Sequence, residues 1–134
     1  MQDWKNIFEG SADSGILNAS AGVDEAELRE SAVAHGLDFT LIDLRSVSDK
    51  AGLLGEVSNV LLFPPYFGMN WDALSDCLTD LSWKAATGYV LFLVGFEAFR
   101  ERAASDAAIA MRVFMGAADF WRRKGVPFYV ILSE

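Results

Sequence analysis

The periods of the hydrophobic and polar positions change several times along the chain, which predicts alternating helices and strands. Three short stretches are rich in apolar and β-branched residues: "DFTLIDL" (38–44), "YVLFLVGF" (89–96) and "PFYVILS" (127–133). The second of them, 89–96, is a continuous apolar run, which is typical of a strand in the middle of a parallel sheet that is covered on both faces. We therefore predict an α/β fold with a three-stranded parallel sheet flanked by helices.

Longer segments with helical signals separate these strands. The stretch "VDEAELRESAVAHG" (23–36) predicts a short helix, with His35 capping its C-terminus rather than binding a metal. The stretch "SDKAGLLGEVSNVLL" (48–62) predicts a second helix. A long helix is predicted over "SDAAIAMRVFMGAADFWRRKG" (105–125), with Ser105 as its N-cap.

The first 22 residues differ from the rest because they are rich in Gly, Ser and Asn. We expect them to be ordered only in part and to add little to the main core. They do contain apolar residues spaced as one helical turn, namely Trp4, Ile7 and Phe8. The predicted organisation is an N-terminal extension with one short helix over residues 1–37, followed by one α/β domain over residues 38–134.

One further predicted helix, "NWDALSDCLTDL" (70–81), carries an unusual charge pattern after its N-cap Asn70. A rotation of about 100° per residue places its apolar side chains on one face: Trp71, Leu74, Cys77, Leu78 and Leu81. The opposite face carries three acidic residues: Asp72, Asp76 and Asp80. Like charges four residues apart destabilise a helix by about 0.2–0.5 kcal/mol per pair. The stripe is therefore either a solvated face or a surface kept negative for a partner.

The overall charge narrows the choice of partner. The 134 residues have a net charge of −8, and residues 1–80 carry 14 acidic and 4 basic side chains. Such a field repels nucleic acid and anionic membranes, and attracts a basic protein or a cation. The single cysteine, Cys77, has no internal disulfide partner, and the longest apolar run is too short to span a bilayer. We expect a cytoplasmic protein.

Motifs for catalysis are mostly absent. The sequence has no glycine-rich phosphate loop, no nucleophile elbow and no paired cysteines at zinc spacing. Two of the three helix aspartates could share a weakly held Mg²⁺ or Ca²⁺, although both ions require more oxygen ligands than one helix face supplies. A weak metal-dependent enzyme therefore stays an alternative, but we expect no enzyme and no cofactor.

The stretch "YFGMNWDALSDCLTDL" (66–81) resembles the signature of the barstar family, the intracellular inhibitors of barnase-type ribonucleases. The family pattern is two aromatics, Gly, any residue, Asn, an apolar residue, Asp-Ala-Leu, one residue and Asp-Cys-Leu. The resemblance extends over residues 38–133. It implies an inhibitor that is a monomer when free, and a partner that is a basic extracellular-type or toxin ribonuclease. The helix carboxylates would occupy the pocket that holds RNA phosphate.

The resemblance also implies which residues meet the partner. Asp76 matches the central acid of the family and Asp72 its neighbour one turn earlier. The full predicted set is Tyr66, Phe67, Gly68, Asn70, Asp72, Ser75, Asp76 and Asp80. Asp80 has no acidic counterpart in the best-known member, so a solvated residue is the alternative for it. The best-known member has tryptophan at the position of Ser75 and an acidic residue where Phe120 aligns, so the partner of this chain can differ. An acidic adaptor that binds another protein without inhibiting a ribonuclease is the alternative.

Overall fold

A computed structural model describes residues 4–9, 15–19 and 23–133. Within these residues, one parallel sheet of four strands lies between two layers of helices. The strands are β1 (Gly15–Asn18), β2 (Asp38–Asp43), β3 (Tyr89–Val94) and β4 (Phe128–Leu132), in the spatial order β1-β4-β3-β2. The predicted α/β class and parallel sheet are confirmed, whereas the predicted number of three strands is wrong.

The α-helices of the described residues lie before and between these strands, and the predicted C-terminal cap at His35 is confirmed. They are α1 (Trp4–Glu9), α2 (Glu25–Ala34), α3 (Lys50–Val60), α4 (Trp71–Leu78), α5 (Phe96–Arg102) and α6 (Ala104–Arg123). His35 is the C-cap of α2, and its Nδ1–H donates to the Ser31 carbonyl at 2.7 Å. In the described part of the chain, no helix has the length and apolar character needed to cross a membrane.

The predicted N-cap of the long helix is wrong. Ser105 lies inside the first turn of α6, which begins at Ala104. Ala103, with φ −145° and ψ 65°, separates α5 from α6 and is the N-cap residue of α6. Since alanine has no side-chain acceptor, no side-chain hydrogen bond from the N-cap residue caps this end of the helix.

The additional strand, β1, comes from the segment that we expected to stay outside the sheet. It pairs in parallel with β4, with Ile16 opposite Val130 and Leu17 opposite Ile131. The Ala19 amide extends the pairing by donating to the Leu132 carbonyl at 2.8 Å. Four residues at a sheet edge are too few to show a period, and the strand that pairs with them is distant in sequence.

Helices cover both faces of the sheet and form two cores. On one face, Trp4 of α1 packs with Leu28 of α2 and Tyr129 of β4. On the other face, α3, α4, α5 and α6 bury a larger set of side chains. Since Trp4 is only 5% exposed, the expectation that residues 1–22 add little to the core is wrong for their described part. The division into an extension and a domain at residue 37 stays a prediction.

Candidate partner-binding site

The start of α4 is fixed by the predicted cap. Asn70 Oδ1 accepts from the Ala73 amide at 2.7 Å, and the Asn70 Nδ2 group donates to the Gly68 carbonyl at 3.3 Å. A Cβ atom at Gly68 would lie 3.2 Å from that Nδ2 atom, closer than ordinary packing allows. Glycine therefore lets the loop approach the cap, and Asp72 follows in the first turn, where the helix dipole favours an anion.

The inner face of α4 anchors the helix on the domain. Leu74 and Leu78 are fully buried, and Cys77 is nearly so. Burial raises the pKa of the Cys77 thiol, and the nearby Asp76 and Asp80 carboxylates raise it further. Trp121 Nε1 of α6 donates to the Leu78 carbonyl at 2.8 Å, which supplies a partner for a carbonyl in the last turn of α4. The buried face of α4 therefore packs on the core and on α6, and its opposite face is exposed to solvent.

The predicted continuous stripe of three aspartates is interrupted because α4 ends earlier than the sequence indicates. Thr79 is the C-cap, and its hydroxyl donates to the Ser75 carbonyl at 2.9 Å. Leu81 then adopts a left-handed backbone with φ 52° and is fully buried. Asp80 therefore lies in the turn after α4, and only Asp72 and Asp76 share the exposed face of the helix.

These acidic residues are exposed and lack a basic neighbour. Among the described side chains, no Lys or Arg lies within 4.0 Å of the carboxylates of Asp72, Asp76 or Asp80. Over the same described residues, no cluster of three potential ligands could hold a metal ion. The exposed face of α4 therefore combines a rigid backbone with uncompensated negative charge.

The aromatic loop before α4 presents one ring and buries part of the other. Tyr66 is 72% exposed, whereas Phe67 is half-buried and packs edge-to-face on Phe63, with 4.9 Å between the ring centroids. The Phe67 amide donates to the Pro64 carbonyl at 3.0 Å, which closes the turn. Tyr66 thus presents its ring to solvent, while Phe67 holds the loop on the core.

The two positions that differ from the best-known family member lie outside the deeply buried core. Ser75 is half-buried on the flank of α4, and its carbonyl accepts from Thr79. Phe120 is half-buried on α6, with the Lys124 ammonium 5.2 Å from its ring centroid. A cation accordingly lies against the ring at the position that is acidic in that member.

Three residues near this face were not predicted from the sequence. Leu62 and Met69 are 67% and 46% exposed, and both have a left-handed backbone, with φ 57° and 52°. Glu56 of α3 borders a groove beside Met69. The only sequence signal for these residues is an apolar or acidic side chain next to the aromatic loop, because the left-handed backbone and the groove arise from tertiary structure.

Comparison with solved structures supports the fold. The chain is similar to the ORC2 protein from Aeropyrum pernix, in a structure of ADPNP-ADP complexes, with a TM-score of 0.57 and 15% sequence identity. The similarity covers 96% of this chain and 37% of that one, so the chain spans little more than a third of its length. At this identity the likeness concerns the fold alone.

Comparison with protein families is more specific. No curated protein sequence matches the chain significantly. The family model described as Barstar (barnase inhibitor) matches residues 37–133, which is most of the chain and includes the loop and α4. The chain therefore belongs to the barstar family.

Proposed function

We propose that the protein binds a basic ribonuclease of the barnase type and blocks its active site with α4 and the aromatic loop. The observation that carries this proposal is the pair Asp72 and Asp76, which are exposed on a helix whose inner face is buried. No described Lys or Arg side chain lies within 4.0 Å of either carboxylate. The family description, barnase inhibitor, supports the same partner class.

The proposed mechanism is electrostatic mimicry of the substrate. A ribonuclease holds an RNA phosphate with cationic side chains, and carboxylates form charge-assisted hydrogen bonds with the same groups. Because α4 is capped by Asn70 and packed on α6, Asp76 needs little ordering when it enters such a pocket. Tyr66 would cover the rim and exclude water. The protein itself would perform no chemistry.

The direct test is cleavage of RNA by a panel of barnase-type ribonucleases with and without added protein. Loss of cleavage at near-equimolar protein supports the proposal. Binding without inhibition would instead indicate the adaptor function, and metal-dependent turnover by the protein alone would indicate an enzyme. Either result contradicts the proposed function.

Substitution of the aspartates tests the geometry. Asp76→Ala should weaken binding by about 2–5 kcal/mol, mainly through faster dissociation, a range that rests partly on the barnase–barstar pair itself. Asp72→Ala should weaken it less, because this carboxylate lies at the helix N-terminus and interacts with the dipole. Asp80→Ala should have the smallest effect, because Asp80 lies beyond the end of α4.

Stability measurements separate a binding defect from a folding defect. Asp76→Ala should leave the free energy of unfolding unchanged or raise it slightly, since it removes the like-charge contact with Asp72. The binding constants come from surface plasmon resonance on an inhibited ribonuclease, and the unfolding free energies from urea titration. Equal and small binding losses at all three positions would show that Asp76 is not the anchor.

A further inference from the structure

A groove lies between α3 and the loop that leads into α4. Its walls are formed by three polar side chains of α3 and three large apolar side chains of the loop, namely Glu56, Ser58, Asn59, Phe63, Phe67 and Met69. Phe67 and Met69 flank Gly68 and precede the cap of α4. The groove therefore adjoins the proposed binding face and would be reached by the same partner.

The carboxylate in this groove has no basic neighbour. Glu56 is half-buried, and no described Lys or Arg side chain lies within 4.0 Å of its carboxylate. Ser58, by contrast, uses its hydroxyl within α3, because it donates to the Gly55 carbonyl at 3.0 Å. A carboxylate without a basic neighbour is stabilised by a cation that enters the groove.

One residue of the apolar wall, Met69, has a backbone conformation that is unfavourable for a residue with a side chain. Met69 has φ 52°, a conformation that favours glycine, yet it carries a long side chain that is 46% exposed and borders the groove. Strained positions of this kind cluster at binding sites. Glycine would suit the backbone better, whereas the methionine side chain adds apolar surface to the wall of the groove.

We propose that this groove binds an arginine side chain of the same basic partner, beside the pocket that Asp76 enters, and this inference rests on the proposed function. The Glu56 carboxylate pairs with the guanidinium, while Phe67 and Met69 contact its flat face and methylene stem. Arginine fits better than lysine because its planar group both pairs with a carboxylate and stacks on apolar and aromatic surfaces. A ribonuclease that is basic around its active site offers such a side chain near the rim.

The first experiment measures dissociation from an inhibited ribonuclease. Glu56→Gln should raise the dissociation rate about tenfold, as expected for the loss of one charge-assisted pair. The matched control is Glu30→Gln, which removes the same charge from an exposed position on α2, across the sheet. It should change the dissociation rate less than about twofold. If both variants dissociate like the wild type while Asp76→Ala dissociates faster, the groove assignment is wrong and the proposed function stands.

A second experiment tests the groove without a ribonuclease. Capped Gly-Arg-Gly, at millimolar concentration, is titrated into ¹⁵N-labelled protein, with Gly-Lys-Gly and Gly-citrulline-Gly as comparisons. We expect saturable shifts of the Glu56, Phe67 and Met69 amides with the arginine peptide, weaker ones with lysine, and none in Glu56→Gln. Shifts confined to Asp72 and Asp76 would overturn the inference. If the groove amides show saturable shifts but the protein inhibits no ribonuclease, the groove still binds arginine and the proposed function is wrong.

Discussion

Replacement of Trp4 by alanine tests whether the N-terminal segment belongs to the folded core. Trp4 stacks on Phe8, with 6.2 Å between the ring centroids, and Phe8 packs edge-to-face on Tyr129 of β4 at 5.1 Å. Since Trp4 is 5% exposed, the substitution removes nearly a whole buried indole from the core formed with α2. The structure therefore predicts a large loss of stability.

The expected size of the effect follows from burial. A buried tryptophan removes about 150–250 Å² from water, which corresponds to about 4–6 kcal/mol at about 25 cal/mol per Å². Alanine retains part of this area, and measured Trp→Ala changes in cores are about 3–5 kcal/mol. Because α1 has only six residues, it can detach from α2 and so limit the loss. We therefore expect a decrease of about 3 kcal/mol, near the lower end of that range.

The measurement is urea unfolding followed by far-UV circular dichroism, which does not depend on the fluorescence of the removed indole. Glu9→Ala is the matched control, because Glu9 is exposed at the end of the same helix and should change stability by less than about 0.5 kcal/mol. Trp4→Phe provides a milder variant if Trp4→Ala does not fold. A loss below about 1 kcal/mol for Trp4→Ala would refute the packing of α1 described above.

Two further predictions concern the binding face and the loop beside it. The association rate with an inhibited ribonuclease should fall steeply as the salt concentration rises, because residues 1–80 carry a net charge of −10. The dissociation rate should change less. A salt-independent association rate in stopped-flow mixing would contradict this prediction. Leu62→Gly should raise the free energy of unfolding by about 1 kcal/mol, because Leu62 follows α3 with φ 57°. Leu62→Ala, which keeps a Cβ atom at that backbone, should give no such gain in the same urea titration.

Most of the fold could be predicted because its elements carry local signals. The strands β3 and β4 are continuous apolar runs, and β2 is rich in apolar and β-branched residues. Helix α3 follows an aspartate whose side chain accepts from the Gly52 amide at 2.8 Å. The strand β1 could not be predicted in this way. It has four residues, and its pairing with β4 is a contact between the two ends of the chain, which no local pattern indicates.

Part of the candidate site could also be predicted from local signals in the sequence. The cap at Asn70 and the separation of buried and acidic faces follow from helical spacing, which the sequence displays. The early end of α4 is accompanied by the left-handed backbone of Leu81 and by the hydrogen bond from Trp121 to the Leu78 carbonyl. Helical spacing in the sequence indicates neither feature, so the prediction that Asp80 lies on the helix was wrong. The groove beside Glu56 was missed for the same reason.

The N-terminal helix α1 and the proposed binding face on α4 lie on opposite sides of the sheet. In the described residues before α2, α1 packs on α2, whereas β1 pairs with β4 and packs on α6. Helix α4 lies on the opposite sheet face from α1, because Leu74 and Leu78 belong to the larger core and Trp4 to the smaller one. Loss of Trp4 should therefore reduce the folded fraction without altering the geometry of Asp72 and Asp76. Inhibition by Trp4→Ala, once corrected for the fraction of folded protein, should equal that of the wild type.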